Sequence, residues 1–196
     1  MTKLSLSTLT RRSSKISGFS LVETLVILVI IAILAGFSGT ALFSWMGRAD
    51  LKRAARTIAS LCQTARIEAI KRNTQVAVVF NGAANTCSVY TNSTDGLPAG
   101  WNTEADNTLL RRFALSDIAR GSISFGSGTA TKKPNSADNI VNFFPPNGRF
   151  VFNSRGGSNA LGTVYVQDSS GNSMAIRMQS MSGSFRTWAW QGSSWQ

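Results

Sequence analysis

The chain has 196 residues, 43% of them apolar, a formal charge of +11 and no histidine. That length holds one domain with a core plus an extra segment. Lack of histidine removes the usual general base and most metal ligands, so the inventory points to a non-enzyme with no cofactor and no metal site.

The extra segment comes first. Residues 1–18 carry Lys3, Arg11, Arg12 and Lys15 and no acid, and from residue 25 to 37 every position is apolar or glycine. Together with 19–22 and 41–43 the run approaches the ~20 residues needed to cross a bilayer. The basic flank then keeps the N-terminus cytoplasmic and sends the rest across the membrane. Without those four leader charges the remainder still carries +7, which can attract nucleic acid, anionic lipid or acidic subunits.

Glu23 interrupts the apolar run near its start. A secretory signal peptide cut near Gly39-Thr40-Ala41 leaves it unexplained. A simple single-span anchor tolerates it, because a carboxylate near a helix N-terminus is favoured by the helix dipole.

Helical patterning continues beyond the run. Leu51, Ala55, Ile58, Cys62, Ala65 and Ala69 recur at spacings of four and three, tracing one apolar helix face. No proline precedes Pro98, so one helix over residues 19–72 is expected, ~80 Å long, with Gly36 and Gly39 able to bend it. Its other face holds Arg48, Lys52, Arg53, Arg56, Arg66, Lys71 and Arg72. The first of these follow the apolar run and suit anionic lipid or acidic neighbours.

After Asn73 the period becomes that of strands. Residues 75–81 and 86–92 flank Gly82-Ala83-Ala84-Asn85 as a hairpin, and further strands are expected at 109–115, 122–125, 140–144, 150–153, 163–167, 174–179 and 184–190. The last three form an antiparallel meander, and 92–105 and 126–139 read as surface loops. Glu104 and Asp106 sit in a Gly- and Asn-containing loop without an obvious catalytic partner.

Two residue sets in the head invite a role. Cys62, on the apolar helix face, and Cys87, opening the second strand, can form a disulfide closing a loop of about 26 residues, worth ~3 kcal/mol. The alternative is two separate buried thiols. In "SFRTWAWQGSSW", alternation puts Arg186, Trp188 and Trp190 on one strand face with Trp195 beyond. Cations interleaved with aromatics can hold single-stranded nucleic acid, and tryptophans equally serve core packing or a subunit interface.

The N-terminus resembles type IV prepilins and type II secretion pseudopilins: a basic leader ending in Gly18, then Phe19, then Glu23 five residues into the mature chain, then an apolar helix. The resemblance implies cleavage by prepilin peptidase between Gly18 and Phe19, N-methylation of Phe19, and pairing of Glu23 with the Phe19 amine of a neighbouring subunit. An unpaired carboxylate in an apolar filament core is costly, which gives that pairing its physical sense. The tip pseudopilin of secretion systems characteristically lacks this acid.

Phe144-Pro145-Pro146-Asn147-Gly148-Arg149 resembles the Phe-x-Pro-x-Gly step of the GspH/FimT group, which takes in the minor pseudopilin H and the FimT- or FimU-like minor pilins. On the residues themselves, Pro146 fixes φ and Gly148 permits φ > 0, so the step turns sharply while two Phe residues anchor it. Some FimT-like members resemble DNA receptors through a Gly-Arg-x-Arg loop. Here Gly183-Ser184-Phe185-Arg186 lacks the first arginine, which lowers the expectation of DNA binding. Many major pilins share a disulfide near the C-terminus, whereas no cysteine follows Cys87, in keeping with a minor subunit.

The expected fold is therefore α+β and pilin-like: a leader over 1–18, an apolar membrane and filament half of the helix over 19–43, an amphipathic half over 44–73, and a β-rich periplasmic head over 74–196. The expected function is that of a minor pilin helping to initiate or cap a type IV pilus, with minor pseudopilin H of type II secretion and a DNA-binding tip subunit as alternatives. Expected partners are major and minor pilins or pseudopilins, prepilin peptidase, the inner-membrane assembly platform and inner-membrane lipid.

Overall fold

The structure is a computed structural model that describes residues 20–92, 107–118 and 123–196, with side chains at 37–45 and 92 outside the description. Two compact units divide the chain at residue 41.

The helix α1 spans Leu21–Arg72. Its end is set by Asn73, which adopts the left-handed conformation (φ 50°). The Thr74 N–H then donates to the Ala69 carbonyl (3.1 Å) and the Asn73 N–H to that of Ile70 (3.2 Å), satisfying the last carbonyls in a Schellman arrangement. In the last turn Arg72 donates to Glu68 at 2.7 Å. That hydrogen bond holds the Glu68 carboxyl below its usual range against an opposing effect of desolvation, and the charges of Arg72 and Lys71 add to it.

Among the described residues of the second unit, eight strands form two four-stranded antiparallel sheets, as expected of an α+β head. The first holds β1 (Val76–Asn81), β2 (Thr86–Asn92), β3 (Asn107–Ala114) and β5 (Arg149–Phe152), in the order β3-β2-β1-β5. The second holds β4 (Ile123–Phe125), β6 (Thr163–Asp168), β7 (Ser173–Ser180) and β8 (Ser184–Ala189), in the order β4-β6-β7-β8. The expected meander is β6-β7-β8. The strand expected at 140–144 does not form. The segment makes a single backbone bond to β6, from the Tyr165 N–H to the Phe143 carbonyl (3.0 Å), and bends at 143–145, where Pro145 and Pro146 end any ladder.

Alternation along the strands sorts the side chains. Val76, Val78 and Phe80, Phe150 and Phe152, Val164 and Val166, and Met174, Ile176 and Met178 all point into one core. Every residue of the predicted helix face joins them: Leu51, Ala55, Ile58, Cys62, Ala65 and Ala69 are 0–3% exposed, and Ala54 and Leu61 widen the stripe. The alanines let the helix backbone approach the sheets closely. Asn85, in the left-handed conformation at the β1–β2 turn (φ 49°), ties the two sheets together. Its Oδ1 accepts the Phe125 N–H at 3.0 Å and its carbonyl accepts the Leu115 N–H at 3.0 Å.

Candidate assembly and binding surfaces

Along residues 21–36 every residue is exposed, the large apolar side chains from Ile27 at 43% to Leu21 at 81%, and Glu23 is the one ionisable group among them. A helix that is apolar all round finds burial only in lipid or against other helices. Among the described residues no helix is long and apolar enough to cross a membrane. The sixteen residues from 21 to 36 rise only ~24 Å, and the expected span of 19–43 reaches beyond them at both ends. Gly18 and Phe19, the expected processing step, also lie outside the described residues, as do Glu104 and Asp106.

Cys62 and Cys87 are both buried and stand as free thiols in this structure, one of the two arrangements that the sequence left open. They sit in the apolar layer between α1 and the first sheet and pack there as small hydrophobes. Burial raises the Cys87 pKa to about 12. Burial raises that of Cys62 too, and the neighbouring Cys87 charge adds to the effect. The helix is held to the head by other means as well: Arg66 Nε donates to the Gly156 carbonyl at 2.9 Å.

The Pro-Gly step turns as expected, at consecutive left-handed residues Asn147 (φ 59°) and Gly148 (φ 67°). Phe144 anchors it, with its ring stacked on Phe80 (6.1 Å) and edge-on to Phe125 (5.2 Å), while Phe150 lies edge-on to Phe80 on the far side. Phe143, by contrast, is 42% exposed. It lines an open groove of about 880 Å³ with Val141, Pro145, Leu161, Tyr165 and Arg177. Gly162 is needed at the base of that turn, because a Cβ there would stand 2.4 Å from the Pro145 side chain.

Arg186 and Trp188 lie together on β8 and Trp190 follows just past its end, but they offer no open stacking platform. Trp188 is 7% exposed, packed with Tyr165 and Ala175, and the Arg186 guanidinium covers its ring at 4.2 Å. Trp190 meets Trp195 at a tilt (5.3 Å between rings), and Trp195 also meets Tyr165 (5.8 Å) and donates its indole N–H to the Lys132 carbonyl at 2.5 Å. The aromatics therefore close the outer face of the sheet, and the DNA-receptor alternative loses its support.

Sequence reading passed over the outward positions of α1. Ile67 and Ile70 are 60% and 48% exposed. They fall off the buried stripe in the helical pattern, a signal present in the sequence but overshadowed by the cations beside them. Among the described residues no group of histidine, cysteine or acid side chains could hold a metal ion.

A family model described as type II transport protein GspH matches residues 54–183. The chain belongs to the GspH family. A second model, the prokaryotic N-terminal methylation motif, matches residues 13–39 of this GspH-family chain and so takes in Gly18, Phe19 and Glu23. The resemblance drawn from the leader and from the Pro-Gly step is thereby borne out. Among solved structures the chain is similar to the type IV minor pilin FimU of Pseudomonas aeruginosa, at 14% identity, over 78% of this chain and 96% of that one, with a TM-score of 0.46. It is also similar to the minor pseudopilin EpsH of the Vibrio cholerae type II secretion system, at 12% identity, over 71% of this chain and 95% of that one, with a TM-score of 0.46. No curated protein sequence matches it.

Proposed function

We propose that this GspH-family chain is a minor subunit of a type IV pilus, cut between Gly18 and Phe19, methylated on Phe19, and inserted in the filament by its helix. The observation that carries this reading is the presence on one chain of an N-terminal methylation motif and a GspH head. The exposed apolar surface of residues 21–36 supports it, because that surface needs a lipid or helical environment. Glu23 then pairs with the Phe19 amine of the next subunit and sets register. Before assembly the helix anchors the chain in the inner membrane with the head in the periplasm, and Ile67 and Ile70 extend the surface available to neighbours.

A second reading, minor pseudopilin H of a type II secretion system, is favoured by the description of the matching family as a type II transport protein. Deleting the gene in its host and scoring sheared pili and secreted proteins in the same cultures separates the two. Lost pili with normal secretion is the expected result. Lost secretion with normal pili assigns the chain to the pseudopilus.

A further inference from the structure

A cavity of about 370 Å³ opens in the second unit between the start of its helical part and the ends of β7 and β8. Arg48, Leu51 and Lys52 line it from α1, and Ser173, Met174 and Trp190 line it from the sheet side. Its wall therefore combines two cations with an apolar surface. Among the described residues neither Arg48 nor Lys52 has an ion-pair partner. Two residues of the wall also hold buried polar atoms without a hydrogen-bond partner: the Ser173 hydroxyl, on a side chain 1% exposed, and the Trp190 indole N–H. No carboxylate belongs to the lining. Nearby Asp168 is occupied within its own turn, accepting the Ser170 and Asn172 N–H groups (both 2.9 Å) and the Asn172 side-chain amide (2.8 Å).

We propose that this cavity binds the phosphate head of an anionic phospholipid, with the phosphate between Arg48 and Lys52 and the glycerol stem along Leu51, Met174 and Trp190. Charge selects the anion, because the wall holds two cations and no acid. The apolar side selects an amphiphile over a bare ion, and the volume takes a head group and glycerol rather than whole acyl chains. In sequence the two cations follow directly on the apolar run, so a lipid surface is the nearest source of phosphate. The inference rests on the reading that the chain is anchored in the membrane before it assembles.

The test uses the full chain, purified in a neutral detergent, with phosphatidylglycerol and phosphatidylcholine in equimolar competition and bound lipid counted by native mass spectrometry. One phosphatidylglycerol per chain is expected, preferred at least about tenfold. The double variant Arg48→Gln/Lys52→Gln should weaken that binding at least about tenfold. Trp190→Phe, which keeps a ring and loses the N–H, should weaken it about fivefold. The variant Lys132→Gln/Arg155→Gln removes the same charge from exposed positions outside the cavity and should bind as the parent does. Equal loss in that control, or no preference for phosphatidylglycerol, overturns the proposal. Inorganic phosphate that competes on equal terms with the lipid overturns it too, in favour of a free-anion site. Reconstitution into phosphatidylcholine discs tests the anchor separately: a chain that inserts in no disc removes the anchor reading, whatever the lipid count.

Discussion

The thiols give the sharpest quantitative expectation. Cys87 has its pKa raised from 9.0 to about 12 by burial, so at any pH well below both values its thiolate fraction is about a thousandfold lower than that of an open cysteine. Cys62 is raised by the same cause, and an existing thiolate at Cys87 disfavours a second one beside it. Since the thiolate is the species that alkylates, iodoacetamide at pH 8 should modify the native chain about a thousandfold more slowly than the same chain in urea. In urea without reductant both residues should react, adding two carbamidomethyl groups by mass. Two results refute the reasoning. Native thiols that react as fast as denatured ones deny the burial, and a denatured chain that takes up no label carries a disulfide, restoring the clamp between helix and sheet.

Glu23→Ala should leave cleavage after Gly18 intact while cutting incorporation into filaments about tenfold or more, read from the subunit content of sheared filaments; normal incorporation removes the pairing account. Ile58→Ala empties a fully buried helix position and should cost about 2–5 kcal/mol in urea unfolding. A loss under 1 kcal/mol means that the helix face is not packed as described. Gly162→Ala drives a Cβ against Pro145 and should cost about 1–3 kcal/mol, lowering the Tm, whereas Gly36→Ala, with nothing within 4 Å, should not.

The helical pattern was legible because one face alone is buried: a spacing of three and four survives any tertiary context that covers only that stripe. The β1–β2 hairpin and the β6-β7-β8 meander were legible for a local reason, since their turns are short and rich in Gly, Asn and Asp. The division into two sheets was not, because it depends on β5 leaving its sequence neighbours to pair with β1, in register Val76↔Phe152. Nothing local in the residues of β5 says which strand it joins. Residues 140–144 mislead because Ile, Val and Phe mark a strand by propensity, while the prolines that follow deny it a ladder. For Cys62 and Cys87 the sequence left a bond and two buried thiols both open, because proximity and an oxidising compartment permit a bond without requiring one.

The C-terminal aromatics show how far alternation carries an argument about function. Period two brings Arg186, Trp188 and Trp190 into one pattern, but it could not say what covers those side chains. The covering comes from the tail, which folds back so that Ala189 and Gln196 exchange two backbone hydrogen bonds, at 2.7 and 2.9 Å, and Trp195 is carried over Tyr165. A stacking surface has to be open, and this one is closed by its own chain. What remains open is chemically different: an apolar helix segment with a single acid at residues 21–36, the outward Ile67 and Ile70, and the cations beginning at Arg48. Each of these lies on α1. The C-terminal aromatics Trp188 and Trp195 serve closure of the head, and the helix keeps the exposed apolar and basic surfaces on which the proposed contacts with neighbouring subunits and lipid rest.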